Sequence, residues 1–306
     1  MSAHLPHAQP RRPLRLVTGL MLAAFLAAAG CHRGDDDAAA SAVDAPATAL
    51  RATLDRLRQN DVNGFWRLAL APSRHAAVRA AWSCALAQVP MTPARQAWID
   101  HALDAADAPG AAALLSARWQ PRLAQAERQY GDQLPLLAGV GRSLLTRNLA
   151  AGGWLDPPQQ ADAETMLAAL APWAGRAPWF DPARAWQLAE LAVETTRTLQ
   201  LQNTRQALAL NLDQAAAKAS TVLAAAKRAL ALYGLSVDAA LDSARVTPLT
   251  QRADEAIVQV SYMLAGQPLE VTVRMQRIDG RWVSRALDQA AQRGVTAAAV
   301  PPGGCR

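Results

Sequence analysis

Cysteine is scarce in this chain, since Cys31, Cys84 and Cys305 are its only three among 306 residues. Phenylalanine and tyrosine occur three times each, against nine tryptophans. The sequence also lacks a Cys-x-x-Cys pair, a Gly-x-Ser-x-Gly elbow and a His-Glu-x-x-His pair. The sequence therefore carries none of the usual signatures of redox proteins, serine hydrolases or zinc proteases. We therefore expect no enzyme activity, no catalytic residues, no metal and no cofactor.

The net charge of +6 at pH 7 does not indicate a nucleic-acid partner. Arg11, Arg12 and Arg15 supply three of these charges within the first thirty residues, which leaves +3 from Cys31 onward. Nucleic-acid binding needs a concentrated basic face. We expect no nucleic-acid partner.

The N-terminal segment has the order of a secretory signal peptide. A basic stretch is followed by an apolar run from Leu16 to Ala29 and then by small residues. The run has about fourteen residues, whereas a helix that spans a bilayer needs about twenty. The pattern predicts export and a signal peptide over residues 1–30.

The stretch Ala28-Ala29-Gly30-Cys31 resembles the bacterial lipoprotein signal. The resemblance implies that Cys31 is lipidated and becomes the new N-terminus, with a diacylglycerol and an N-acyl chain as membrane anchor. Two or more acyl chains suffice for stable attachment. Ala28 departs from the family pattern, which usually has leucine there. His32 after the cysteine implies the outer membrane, facing the periplasm; plain secretion with an incidental cysteine is the alternative.

The two remaining cysteines form an even pair in an oxidising compartment. A disulfide between Cys84 and Cys305 would tie the C-terminal tail to an early helix. Alternatively, Cys84 is a buried small apolar residue.

The pattern of apolar residues predicts an α+β protein that is mostly α. Helical spacing dominates up to Tyr233, with Ser73 as an expected N-cap and a break expected near Asn203 or Asn211. The apolar period then changes from 3.6 to 2 residues. The expected organisation is a signal peptide (1–30), a flexible tether (31–45), a helical domain (46–210), a helix-plus-sheet unit (211–290) and a disordered tail (291–306).

The C-terminal unit is predicted to be a long helix packed on a small antiparallel meander of three to four strands. Asp279-Gly280 is a strong hairpin signal, and Trp282–Leu287 is expected to return as a strand. A strand over Leu241–Leu249 belongs at the edge because of Pro248. We expect the helix that ends at Tyr233 to cover the apolar face. This order over residues 212–287 resembles the cystatin-like cone fold of nuclear-transport-factor-type modules.

Two groups of residues are candidates for binding. A concave apolar pocket for a small ligand is predicted on one face of the sheet, lined by Val258, Val260, Tyr262, Val271, Val273 and Trp282. Trp154, Trp173 and Trp179 lie in a Gly/Pro-rich region and are candidates for an exposed aromatic patch. The tryptophans in helical patterns are expected in the core: Trp66, Trp82, Trp98, Trp119 and Trp186.

The expected function is a non-catalytic binding or structural role in the bacterial envelope, as an outer-membrane-anchored periplasmic lipoprotein. The partners would be the membrane, through the lipid anchor, and an envelope protein or peptidoglycan. One alternative is a small-ligand-binding module that uses the sheet face. Another is a cell-wall enzyme with a site assembled from scattered acidic residues.

Overall fold

The computed structural model describes residues 45–152 and 155–299. Its architecture is α+β and mostly α, which confirms the predicted fold class: helices precede a small antiparallel sheet near the C-terminal end. Within these two ranges, no helix is long and apolar enough to cross a membrane. The predicted signal peptide and nearly all of the predicted tether lie outside the described residues.

The helices follow one another with short connections. Before the sheet they are α1 (Pro46–Arg58), α2 (Val62–Ala69), α3 (Pro72–Ala87), α4 (Pro93–Asp107), α5 (Ala111–Tyr130), α6 (Leu134–Gly152), α7 (Pro157–Ala174), α8 (Pro182–Leu199), α9 (Thr204–Leu208), α10 (Leu212–Leu232) and α11 (Val237–Ser243). A short 3-10 helix, Gly131–Gln133, separates α5 from α6.

Side-chain caps set many of the helix starts. A side-chain oxygen accepts a hydrogen bond from a first-turn backbone N–H at Asp61, Thr92, Asp156, Asp181, Asn203, Asn211 and Ser236. The prediction of Ser73 as an N-cap was wrong. Helix α3 begins at Pro72, whose fixed φ suits the first helical position. The Ser73 amide instead donates to Asp279 Oδ2 at 2.9 Å.

The long stretch without proline or glycine breaks at both of the expected asparagines. Gln200 adopts a left-handed conformation with φ of 49° and ends α8. Asn203 then caps α9, and Asn211 caps α10 in a reciprocal capping box with Gln214. Gly234, at φ of 83°, follows the end of α10 as predicted.

Four antiparallel strands pair in sequence order: β1 (Arg245–Arg252), β2 (Glu255–Leu264), β3 (Gln267–Ile278) and β4 (Arg281–Ser284). Asp279 and Gly280 have φ of 51° and 75°, the two left-handed residues of a type I′ hairpin, as their sequence predicts. Strand β1 is at the edge, with its register irregularity between Pro248 and Thr250.

The apolar face of the sheet is covered by α1 rather than by α10, which corrects the expected arrangement. Leu50 and Leu54 of α1 pack into one cluster with Val258, Val260 and Trp282. Large leucine side chains remove more apolar area from water than the alanines that dominate α10. The first described helix and the sheet therefore share one core.

The C-terminal segment also differs from its prediction. The expected strand over Trp282–Leu287 ends at Ser284, and helix α12 (Arg285–Ala299) follows at once. Leu287, Ala291 and Ala298 are buried on one side of α12. Because that apolar side has α3 to pack on, residues 291–299 are helical rather than a disordered tail.

A buried lysine joins three helices. The side chain of Lys227 in α10 is 4% exposed, and its Nζ donates to the carbonyl oxygens of Leu57 at 2.7 Å and Arg58 at 3.1 Å. It also donates to Asp238 Oδ1 of α11 at 2.6 Å. Leu57 and Arg58 are the last two residues of α1, whose carbonyls have no partner within the helix. Lys227 thus fixes the end of α1 against α10 and α11.

We expect Lys227→Met to lower the free energy of unfolding by about 2 kcal/mol, because the Arg58 carbonyl loses its lysine donor and the Leu57 carbonyl keeps only the local bond from the Asn60 amide. Urea-induced unfolding measures the change. Arg228→Met is the matched control, since Arg228 forms only an exposed pair with Glu194 and should change stability by less than about 0.5 kcal/mol. Equal losses in the two variants would contradict the assigned role of Lys227.

Candidate ligand-binding cleft

An apolar cleft of about 300 Å³ lies between α2, α3, α10 and α12. One wall is a stripe along α3 formed by His75, Val78, Trp82, Ala85 and Val89. These residues recur every three or four positions, so they share one side of the helix. The volume is at the lower end of the range typical of small-molecule pockets, about 300–1,000 Å³.

Small residues form the opposite walls. Ala216 and Ala219 of α10 face Ala291, Gly294 and Ala298 of α12. A Cβ added at Gly294 would meet no atom within 4 Å. At Gly294, the α12 side of the cleft is therefore open space.

Polar contacts hold α3 and α12 side by side at both ends of the cleft. At one end, Arg74 Nε donates to Asp288 Oδ1 at 3.0 Å, and Asp288 is buried. At the other, Gln88 Nε2 donates to the Ala298 carbonyl at 3.0 Å. The order of these contacts makes the two helices parallel. Breaking a buried pair such as Arg74–Asp288 is costly, so the frame of the cleft is firmly held.

His75 lines one end of the cleft. Its Nε2 is buried and has no hydrogen-bond partner in the described part of the chain. Burial lowers the pKa of the imidazole, and the positive charges of Arg79 and Arg67 lower it further, while Asp213 opposes them. The first two of these effects favour the neutral imidazole.

A charged network lies at the same end of the cleft. Arg79 Nη1 and Nη2 donate to the two carboxylate oxygens of Asp213 at 2.6 and 2.9 Å. This hydrogen-bonded pairing lowers the pKa of Asp213. Arg67 Nη2 is 3.9 Å from Asp213 Oδ1, a long contact, and its side chain is 60% exposed. Two guanidinium groups against one carboxylate give this end a net positive charge.

The six sheet residues expected to line a pocket form core instead. Val258, Val260, Val273 and Trp282 are buried in the cluster that includes Leu50. Tyr262 and Val271 are half-buried and pack against the same cluster. The sequence correctly groups the six on one face, but α1 occupies the space where a ligand would lie. We therefore place the candidate site at the cleft.

The tryptophans also differ from expectation. Trp173 and Trp179 are half-buried and meet edge to face, and Trp179 stacks on Tyr233 with centroids 4.8 Å apart. They form an internal aromatic cluster rather than an exposed patch, and Trp154 lies outside the described residues. Trp98, expected in the core, is 71% exposed. Trp186, also expected there, is 38% exposed.

Of the three cysteines, only Cys84 falls within the described ranges. It is disulfide-bonded. Cys31 and Cys305 lie outside the described residues, so lipidation and the Cys84–Cys305 pairing stay predictions. The contact between Gln88 and Ala298 brings the end of α12 within about one helical turn of Cys84, which is compatible with that pairing.

Sequence reasoning missed the cleft although part of its signal was present. The residues of α3 that line the cleft have helical spacing, but the first of them is a histidine. The lining residues of the facing helices include alanine and glycine, which are only weakly hydrophobic. Trp66 and Trp82 were expected to be ordinary core. The structure leaves both half-buried at the cleft, with Trp82 Nε1 donating to the Leu210 carbonyl at 2.8 Å.

No protein-family model matches the chain, and comparisons with curated proteins and with solved structures return no significant match.

The open space at Gly294 predicts that Gly294→Ala raises the free energy of unfolding by about 0.5–1 kcal/mol, because a helical glycine loses more backbone entropy on folding than alanine. Chemical denaturation measures this change in the free energy of unfolding. Gly64→Ala is the opposite control, since its Cβ would lie 2.0 Å from Asp61 Oδ2 and disturb the cap of α2. Destabilisation by Gly294→Ala would mean that the cleft is closed.

Proposed function

We propose that this protein is a lipid-anchored protein of the bacterial envelope with a non-catalytic role, and that it binds an apolar ligand in the cleft. The observation that carries the proposal is the cleft itself, whose lining is almost entirely carbon. Apolar pockets with few polar groups are the usual form of small-molecule sites. The proposal keeps the binding role expected from the sequence and moves its site from the sheet to the helices.

The length of the cleft supports an elongated occupant. Its lining extends along α3 from His75 to Gln88, about 20 Å at the helical rise of roughly 1.5 Å per residue. An extended hydrocarbon chain can follow the full length of this apolar wall.

The proposed location depends on Cys31. Acylation there would place the protein on a membrane, where hydrocarbon chains are abundant, and His32 favours the outer membrane facing the periplasm. An envelope protein or peptidoglycan partner remains part of the proposal. The enzyme alternative has no specific observation in its favour.

Binding of the apolar fluorophore N-phenylnaphthylamine tests the cleft. We expect the protein to enhance its fluorescence and Gly294→Leu to abolish the enhancement, because the added side chain occupies the space at Gly294. The measurement is a fluorescence titration with circular dichroism of each variant.

Gln292→Leu is the matched control, since it adds the same side chain at an exposed position of α12. It should bind the fluorophore as the unmodified protein does. Unchanged binding by a folded Gly294→Leu would show that the fluorophore binds elsewhere and would contradict the proposed site.

Metabolic labelling with a fatty-acid analogue tests the anchor. We expect label on the wild-type protein and none on Cys31→Ala, because the cysteine thiol is the proposed acylation site. Label retained by the variant would overturn the lipoprotein assignment without affecting the cleft.

A further inference from the structure

We infer that the cleft selects a single-chain anionic amphiphile, such as a fatty acid, with its hydrocarbon chain along α3 and its carboxylate at the His75 end. This inference rests on the proposed function and adds the chemical class and orientation of the ligand. Two observations carry it: the length of the apolar channel, and the excess positive charge of Arg67 and Arg79 over Asp213 beside its His75 end.

The neighbouring charges decide which polar end fits. Asp213 is engaged by both terminal nitrogens of Arg79. Arg67 makes only the 3.9 Å contact with that carboxylate, and its guanidinium has donors to spare. On α3, His75 and Arg79 are four residues apart and so lie on the same side of the helix. A carboxylate at this end would balance the second guanidinium, whereas an ammonium group would be repelled.

The opposite end of the cleft provides no comparable group. Its lining there is Val89 and Ala298, with the Gln88 amide already donating to the Ala298 carbonyl. The other end of the hydrocarbon chain therefore belongs at this apolar end. The asymmetry gives the ligand one preferred orientation.

Displacement of N-phenylnaphthylamine by three ligands with the same hydrocarbon chain tests the inference. The ligands are palmitate, palmityl alcohol and methyl palmitate, each kept below its solubility limit. The protein is the chain with Cys31→Ser, so that no anchor acyl chain competes. We expect palmitate to displace the fluorophore at about tenfold lower concentration than methyl palmitate, the size of effect expected for one hydrogen bond to a charged group.

Variants of the polar end give the internal comparison. The ratio between palmitate and methyl palmitate should fall several-fold in Arg67→Gln, which removes the second guanidinium. Arg67 is exposed, so Arg67→Gln should fold as the unmodified protein does. Arg252→Gln, an exposed arginine on β1, should leave the ratio unchanged.

The outcomes separate the two proposals. Equal displacement by all three ligands would overturn the selection of an anionic head while leaving the apolar site intact. Tighter binding of methyl palmitate, whose esterified head resembles the acyl groups of a lipid anchor, would also overturn it. Failure of the fluorophore itself to bind would instead remove the proposed function.

Discussion

The carbonyl oxygens at the C-terminal end of an α-helix have no partner within that helix, and here long cationic side chains from other helices supply one. The chain has only two lysines, and each has this role: Lys227 donates to the end of α1 and Lys218 to the Leu199 carbonyl at the end of α8. Arg184 donates likewise to the Leu232 carbonyl of α10, and Arg197 to Ala106 of α4. Alanine-rich helices bury little area at each contact, so these cross-links help to fix which helix ends meet.

The cleft follows from the uneven sizes of the side chains between four helices. Alanine and glycine on α10 and α12 would normally allow close packing. Trp66 of α2 and Trp82 of α3 line the cleft with large rings. The hydrogen bond from Trp82 Nε1 to the Leu210 carbonyl fixes one of these rings. The arrangement leaves an elongated gap beside small residues. The Arg74–Asp288 and Gln88–Ala298 contacts then set the separation of α3 and α12 at each end.

Local signals in the sequence predicted local structure well. The asparagines at 203 and 211 cap helices, and Asp279-Gly280 forms the predicted hairpin because both residues tolerate left-handed φ. Packing over long sequence distances could not be predicted in the same way. Nothing local shows that Leu50 meets Val258, or that a lysine would be buried against α1. The apolar helical pattern over residues 134–149 does not show that Leu136 and Leu144 would be 67% and 50% exposed.

The candidate site was the least predictable part. Its residues come from four helices, and its defining property is unfilled volume. Neither the amino-acid composition nor the spacing of apolar residues reveals such a volume. Apolar and polar residues alternate more clearly along the strands, so the ligand pocket was predicted on the sheet face. A regular apolar face is, however, also what a buried core requires. The clear alternation identified the sheet face that α1 covers. The residues that line the cleft show no comparably clear period.

Helix α12 is the last of the described elements in chain order, although it forms one wall of the cleft. A polypeptide synthesised from its N-terminus presents the facing sides of α2, α3 and α10 before that wall exists. The cleft therefore assembles only once this fifteen-residue helix has been made and has docked parallel to α3. A chain that stops before Arg285 would lack one wall of the cleft, and with it Leu287, which packs against Leu57 and Phe65.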